Sequence, residues 1–432
     1  MKFKPLNKLN ITSIMAVLSG FIFYAYEYIL RITPSVMEVQ LSESMHVSVT
    51  MVGALGAYYY YVYTPMQIIV GIILDRYDIK RTLTIASLMC VIGTALLLIS
   101  HSTFIFAFGR FIQGCGSAFA WVGILKLSAL YISKRFYGLT TSFGSVSGFI
   151  GAAFGQVFLG FLVHKYGNTV TLSLLVFIGL LISYFIFSQI NKAQHQELGL
   201  EGQNDSPMAN KNWNKQLMIV LKTPYVWAGG IIAALLFTPT TVFAELWGIH
   251  YITKLYSYTP VESSFISSMI FIGWAIGCAI SGALTIITKS KIKLIRYGSL
   301  GAFGVSFLIL YFKLSYEVIC FLCIIFGIFS SVEVLAFIMG RDVLPAKLAG
   351  ITGSAINLIC VGVGVAFQRL VGALLDFYWN GAYTQSGLRS YPVDAYKKAM
   401  LIIPLVLISC FIFTFFIDEK RKKFKSFKRV KS

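Results

Sequence analysis

Long runs of apolar residues separated by short polar breaks fill the 432-residue chain. A membrane-spanning helix needs about 20 apolar residues. Twelve stretches qualify, at roughly 12–36, 48–74, 82–100, 104–132, 138–163, 168–188, 223–250, 261–288, 294–312, 316–340, 349–375 and 398–417. Gly and Pro sit inside them and no ten-residue alternation appears, so the pattern predicts helices and not a β-barrel. The first run is too long for a cleaved signal peptide, and no small-residue cleavage site follows it.

Residues 189–222 interrupt the apolar pattern, with Gln203, Asn204, Asp205, Ser206 and Pro207 at their centre. They divide the spans six and six. The expected organisation is an N-terminal six-helix bundle at 1–188, a cytoplasmic linker at 189–222, a C-terminal bundle at 223–417 and a basic cytoplasmic tail at 418–432. Both halves enter from the cytoplasmic side, as in a parallel repeat about an axis along the membrane normal. Sliding the chain on itself by 212 residues lays Gly138, Thr140, Ser142, Gln156, Gly160 and Leu162 on Gly350, Thr352, Ser354, Gln368, Gly372 and Leu374. Chance pairs Gly or Leu easily in apolar helices, but Gln on Gln argues for duplication. The fold class is therefore all-α integral membrane, twelve transmembrane helices in two pseudo-symmetric six-helix bundles.

Composition agrees: 57% of residues are hydrophobic, 12% charged and 15% aromatic, with a mean hydropathy of +0.76. Soluble domains carry about 25% charge, and a globule with half that supply could not cover its surface. A soluble enzyme is excluded, as are a disulfide scaffold and a disordered chain. The net charge of +19 suggests nucleic acid until topology is counted. With the N-terminus in the cytoplasm, and charges at the span ends counted with the adjoining segments, cytoplasmic segments hold 26 of the 36 Lys and Arg against 8 of the 17 acids, and external segments hold 6 against 6. That is the positive-inside rule, and no nucleic-acid partner is expected. The tail Lys420, Arg421, Lys422, Lys423, Lys425, Lys428, Arg429 and Lys431 reads as a topology anchor, with anionic-lipid contact as an alternative. The sequon Asn10-Ile11-Thr12 falls on the cytoplasmic side and is expected to be silent. Cys320 and Cys323 lie one turn apart in an apolar helix, which favours packing over redox or metal chemistry. His46, His101, His164, His195 and His250 lie singly, without metal-ligand spacing.

Between spans 2 and 3 the chain reads Gly71-Ile72-Ile73-Leu74-Asp75-Arg76-Tyr77-Asp78-Ile79-Lys80-Arg81. It resembles the G-x-x-x-D-R-x-G-R-R loop of the major facilitator superfamily, with Asp78 in place of the usual glycine and the basic pair one residue later. Physically, Gly71 permits close helix contact, and Asp75 can face the positive N-terminal end of another helix, with span 11 the candidate. Arg76 and Arg81 are expected to pair with acids across the halves, so that the loop gates the cytoplasmic side. Plain positive-inside charge would account for Lys80 and Arg81 but not for an acid there.

Span 4 contains Arg110-Phe111-Ile112-Gln113-Gly114-Cys115-Gly116-Ser117-Ala118, similar to the family's R-x-x-Q-G-x-G-x-A motif with the alanine one residue late. A guanidinium at that depth must be paired or hydrated. Arg110, Gly114, Ser117 and Trp121 share one helical face, and Lys126 points about 160° away. Span 1 bears a polar stripe of Tyr24, Glu27, Tyr28, Arg31 and Ser35, in which Glu27 and Arg31 can satisfy each other one turn apart. The resemblance implies that helices 1, 4, 7 and 10 line a central cavity. Glu27, Arg31, Arg110, Lys126, Glu245 and Glu333 all fall on those helices, and Arg369 on span 11 does not. The repeat lays Glu333 on Trp121, aiming it into the cavity from the second half. Glu245, near Trp247 and His250, is equally an interfacial gate residue.

Of Tyr58, Tyr59, Tyr60, Tyr61 and Tyr63, at most two can face a pore. Gln156, Gln368 and Asn357 could bind substrate or a neighbouring helix, with helix contact favoured. The efflux pattern G-x-x-x-G-P-x-x-G-G in helix 5 is altered here to Gly144-Ser145-Val146-Ser147-Gly148-Phe149-Ile150-Gly151-Ala152, which tilts the reading from antiport efflux to uptake. The span 1 segment Tyr28-Ile29-Leu30-Arg31-Ile32-Thr33-Pro34-Ser35-Val36-Met37 is similar to the helix-1 end of bacterial organic-anion and phagosomal amino-acid transporters.

The expected function is a proton-coupled symporter of a small polar organic solute, an amino acid or organic anion, working by alternating access. No G-x-x-x-x-G-K-[ST] loop is present, so a gradient supplies the energy. Glu27 and Glu333 are the proton-handling candidates. Tyr24, Tyr28, Arg31, Arg110, Gln113, Trp121 and Asn357 are the substrate-binding candidates, with the arginines holding a carboxylate. Gly71, Asp75, Arg76 and Arg81 gate, and Lys126, Glu245 and Arg369 have no assigned role. The partners are solute, protons and the lipid bilayer. The chain is expected to be a monomer in a bacterial inner membrane with both termini cytoplasmic, without cofactor, metal or enzymatic activity. Proton-antiport efflux of a drug, siderophore or metabolite is the alternative on the same fold. A membrane enzyme would need a catalytic cluster, and a channel would not need the repeat and the Asp75 loop.

Overall fold

The computed structural model describes residues 11–37, 41, 45, 47, 51, 55–56, 58–100, 102–190, 213–288, 290–345, 348–383 and 389–417. The centre of the linker, the basic tail, Asn10, His46, His101, His195 and the side chains of Ser35 and Gln156 lie outside the described residues.

Among the described residues the chain is helical, with one isolated antiparallel bridge between Tyr383 and Arg389. In order, the helices are α1 (Ile11–Val36), α2 (Tyr58–Arg76), α3 (Ile79–Leu98), α4 (Thr103–Tyr131), α5 (Tyr137–Gln189), α6 (Trp213–Leu221), α7 (Pro224–Thr238), α8 (Gly248–Tyr256), α9 (Pro260–Ile287), α10 (Lys291–Tyr311), α11 (Tyr316–Ser330), α12 (Val334–Val343), α13 (Ala349–Phe377), α14 (Val393–Met400) and α15 (Ile402–Phe413). A π-helical segment, Pro239–Trp247, joins α7 to α8, and a 3-10 turn, Ser331–Glu333, joins α11 to α12. Ten helical runs among the described residues are long and apolar enough to cross a membrane. Of the two remaining expected stretches, 48–74 overlaps α2 from Tyr58 onward and 138–163 falls in the first half of α5.

The described residues fall into two compact units. One comprises residues from 1–223 together with Leu344–Leu358, and the other residues from 224–343 and from Ile359 onward. In the first unit α1 packs on α4 and α5, α2 on α4, and α3 on α4 and α5, so α4 is the most enclosed helix. Small residues permit this. A Cβ on Gly93 of α3 would lie 2.7 Å from the Gly109 carbonyl of α4, so only glycine allows the two backbones to meet there. In the second unit α9 packs on α11, and α10 on α11 and α15. Short polar turns cap the helices. Ser102 accepts from the Phe104 N–H at 3.3 Å, and Thr259 and Glu262 form a reciprocal capping box. Hydrogen bonds from the Thr259 backbone N–H and hydroxyl hold the Glu262 carboxyl below the usual carboxylate range.

α5 runs on across the expected gap between spans 5 and 6 at 164–167, and its break, at Gly167 with φ 78° and ψ 176°, lies within that gap. That conformation is essentially restricted to glycine, and other residues pay about 1–3 kcal/mol to adopt it. Gly167→Ala is therefore expected to destabilise the protein by about that amount. Thermal unfolding in detergent checks this, and an unchanged midpoint would mean that the bend does not require glycine.

Candidate functional site

The periodicity of α1 places Tyr24, Glu27, Tyr28 and Arg31 on one face. Glu27 is fully buried. Its Oε1 accepts from Arg31 Nε at 3.0 Å, from Arg31 Nη2 at 2.7 Å and from the Tyr59 hydroxyl, whereas its Oε2 has no hydrogen-bond partner. The Arg31 guanidinium is surrounded by aromatic faces, lying 4.4 Å from the Tyr28 centroid, 5.3 Å from Tyr63, 5.9 Å from Tyr59 and 6.0 Å from Tyr60. Each such contact adds attraction to the ring quadrupole, and more so where water is excluded. Tyr24 meets Trp121 at 5.3 Å, and Tyr28 meets Phe149 at 5.5 Å. The tyrosine run divides cleanly: Tyr59 and Tyr63 are buried and stacked, whereas Tyr58 and Tyr61 are 44% and 56% exposed. Asn357 interacts with Tyr63.

Arg110 is buried, and proline explains how its charge is held. Pro34 has no N–H, so the carbonyl four residues earlier, that of Leu30, lacks its helical partner. Arg110 Nη1 donates to that carbonyl at 2.9 Å and to Gln113 Oε1 at 2.8 Å. Its Nη2 reaches the Arg31 carbonyl at 3.4 Å and that of Gly56 at 3.5 Å, and the guanidinium lies 4.7 Å from the Tyr59 ring. Gln113 in turn donates from Nε2 to Thr94 Oγ1 at 2.8 Å, so it positions Arg110.

At the C-terminal end of α2, Asp75 faces the first turn of α13. Its Oδ1 accepts from the Gly350 N–H at 3.0 Å and its Oδ2 from the Ile351 N–H at 2.8 Å. These N–H groups carry the positive end of the helix dipole. Lys126 Nζ lies 2.5 Å from Asp75 Oδ1 with both side chains buried. The wheel separated Lys126 from Arg110, but only folding brings it to an acid 51 residues away. One turn before Asp75, a Cβ on Gly71 would sit 2.7 Å from Ser354 Oγ and 2.9 Å from Ile351 Cα, so glycine alone allows this contact. Arg81 forms an ion pair with Asp78 at 4.0 Å, within its own loop, and its side chain is 79% exposed. The spacing of three residues brings the two together locally. Arg76 lies over the Tyr77 ring at 5.6 Å.

In the second unit Glu333 ends the 3-10 turn, buried, with Cys360 Sγ 3.7 Å from its Oε1. Glu245 lies half-buried in the π-helical segment. Pro239 begins that segment, where the missing proline N–H favours a widened turn. Gln368 ties helix to helix: its Nε2 donates to the Thr241 carbonyl at 2.6 Å and its own carbonyl accepts from Trp247 Nε1 at 3.1 Å. Arg369 is exposed. Sequence reading did not find Lys291, whose Nζ lies 2.6 Å from Asp342 Oδ2, 51 residues on. The separation equals that of Asp75 and Lys126 with the charges exchanged, but the two pairs lie 216 residues apart, so the 212-residue repeat does not superpose them.

The model of the Major Facilitator Superfamily matches residues 12–368. The uncharacterised transporter YybO of Bacillus subtilis (strain 168) is 24% identical over 396 residues, covering 87% of this chain and 89% of that protein. The putative transporter AraJ of Escherichia coli (strain K12) is 23% identical over 360 residues, covering 78% and 86%. Among solved structures, a point variant of the E. coli fucose:proton symporter FucP superposes with a TM-score of 0.68 at 15% identity, over 95% of this chain and 99% of that one. FucP in the outward conformation gives 0.67 at 14% identity, over 94% and 99%. At these identities the likeness concerns the fold.

The Asp75–Lys126 pair predicts coupled stability. Asp75→Ala and Lys126→Ala each leave a buried group without its partner, and the double variant removes both. A double-mutant cycle read by thermal unfolding in detergent is expected to give a coupling of about 1–3 kcal/mol, and additive losses would show that the pair is not coupled.

Proposed function

The chain belongs to the Major Facilitator Superfamily and is a multi-pass secondary transporter; we propose that it is a proton-coupled symporter that takes up a small organic anion or amino acid by alternating access. One observation carries the reading: Glu27 is buried in a membrane helix, bonded through one oxygen to Arg31 and Tyr59 and unpartnered at the other. Ionisable groups inside a membrane are expensive to keep, and persist where they serve transport. FucP, a fucose:proton symporter of the same fold, lends support.

The geometry supplies a coupling mechanism. With Glu27 ionised, Arg31 is occupied by its carboxylate. A proton added to Glu27 removes that charge and releases the guanidinium, whose fork then suits a substrate carboxylate. Proton and anion thus enter together because each makes room for the other. Tyr24, Tyr28, Trp121 and Phe149 form the aromatic wall for the rest of the solute, and Asn357 adds an amide. Arg110 contributes positive potential, held in place by Gln113 and the Leu30 carbonyl. Glu333 is the second proton-handling group, and Asp75 with Gly71 and Lys126 closes the cytoplasmic side. Residues 1–188 and 223–417 act as the two bundles, joined by the linker 189–222, with the tail 418–432 and the N-terminus in the cytoplasm of a bacterial inner membrane. The working unit is a monomer.

Purified protein in liposomes loaded with a pH dye tests this. External pools of amino acids and of organic acids are added separately, and one of them is expected to acidify the interior. Raising the external pH should slow that uptake, because the co-transported proton becomes scarcer. Glu27→Gln and Glu333→Gln should each abolish the acidification. Internal alkalinisation on adding solute would instead mean exchange of solute for protons and would overturn the uptake reading.

A further inference from the structure

A line of buried, unpaired polar atoms runs between the tyrosine cluster and the cytoplasmic latch. On α2, Tyr63, Gln67, Gly71 and Asp75 recur every fourth residue and so lie along one face. Tyr63 interacts with Asn357, Gly71 packs on Ser354 and Ile351, and Asp75 bonds to Gly350 and Ile351, so this face runs along the first turns of α13 in the opposite direction. Gln67 falls in the middle of the seam. It is fully buried, yet neither its Oε1 nor its Nε2 has a hydrogen-bond partner. The same holds for Ser354 Oγ, whose residue is 2% exposed; the Asn357 side chain, 6% exposed, faces Tyr63 while its Nδ2 meets no acceptor at full hydrogen-bond geometry.

Each unpaired buried polar group costs about 1–3 kcal/mol, and polar groups deep inside a protein are overwhelmingly satisfied by protein or water. Donors and acceptors thus share one seam: an amide oxygen, two amide nitrogens and a hydroxyl, all neutral. A water molecule held in a protein interior needs two to four such partners. Charged ligands find no counter-charge in this set, and an apolar one would leave all four atoms unsatisfied.

We infer that Gln67, Ser354 and Asn357 form a buried water-binding site on the α2–α13 seam, and that it is the cytoplasmic side of the proton route from Glu27. The second part rests on the proton-handling role proposed above for Glu27. Tyr59 and Tyr63 stand between Glu27 and the site, and the close contact at Gly71 seals it from the cytoplasm. When Glu27 releases its proton, its carboxylate re-pairs with Arg31. The bound water accepts one proton and passes one on once the seal parts, so no water is consumed.

Radiolytic hydroxyl-radical footprinting of the full chain in lipid nanodiscs, without solute, reads bound water directly. Tyr63, only 3% exposed, is expected to be oxidised, whereas Tyr26, buried at 2% with its hydroxyl on the Leu175 carbonyl, stays inert as a reference. Gln67→Leu with Asn357→Leu should cut the Tyr63 signal by about fivefold or more by removing the partners that hold the water, and Gln67→Asn should retain it. A Tyr63 signal no higher than that of Tyr26 in the unaltered protein would overturn the site, and this outcome needs no variant to fold. A signal insensitive to the leucine pair would overturn it as well. The liposome assay separates the two claims: acidification that survives Glu27→Gln removes the proton role of Glu27 while leaving the footprint to decide the water site. Acidification lost in Glu27→Gln but unchanged in the leucine pair overturns the route.

Discussion

The high cost of ionised groups in a hydrocarbon medium governs this structure. A charge at the centre of a spanning helix costs about 2.5–3.5 kcal/mol on insertion scales, and the buried ones described in the first unit are met by specific devices. Glu27 and Arg31 neutralise each other one turn apart. Arg110 is distributed over main-chain carbonyls and Gln113. Asp75 takes both a lysine and a helix N-terminus. These solutions differ in how easily they are undone. The Glu27–Arg31 pair can be broken by one proton, whereas Arg110 holds carbonyls that no proton alters.

Departures from regular helix accompany the charges. Pro34 frees the carbonyl that Arg110 takes. Pro239 opens the π-helical segment that carries Glu245, and a 3-10 turn carries Glu333. Irregular backbone is tolerated at membrane depth only where it is buried in protein or lines a polar cavity, because lipid offers no hydrogen bonds. The irregular turns thus mark the same places as the ionisable side chains, although the two signals are independent in origin.

The one-dimensional pattern reveals more of the helices than of their junctions. Apolar length alone marks the spans, because lipid demands a continuous stretch whatever its neighbours. The bend at Gly167 falls in the gap that reading leaves between spans 5 and 6, although the two helices run together across it. Spacing along one helix likewise exposes the Glu27–Arg31 pair and the inward face of α1, because periodicity is a local property. The tyrosine run limits how many rings can turn inward, but packing against α1 and α4 chooses Tyr59 and Tyr63.

Sequence by itself determined that this chain is an all-helical membrane protein, where its polar stripes lie and which acid lacks a local reason to exist. Tertiary structure alone decided the long-range partners: Lys126 for Asp75, the Leu30 carbonyl for Arg110 and Cys360 for Glu333. The physical reason is that hydrophobic length and helical period are carried by neighbouring residues. A charge-assisted bond depends on angles and distances of a few ångströms between helices, set by which small residues let two backbones approach. Gly71 shows both sides. Its type is plain in the sequence, but what it permits is known only from Ser354 and Ile351 on the other side of the seam.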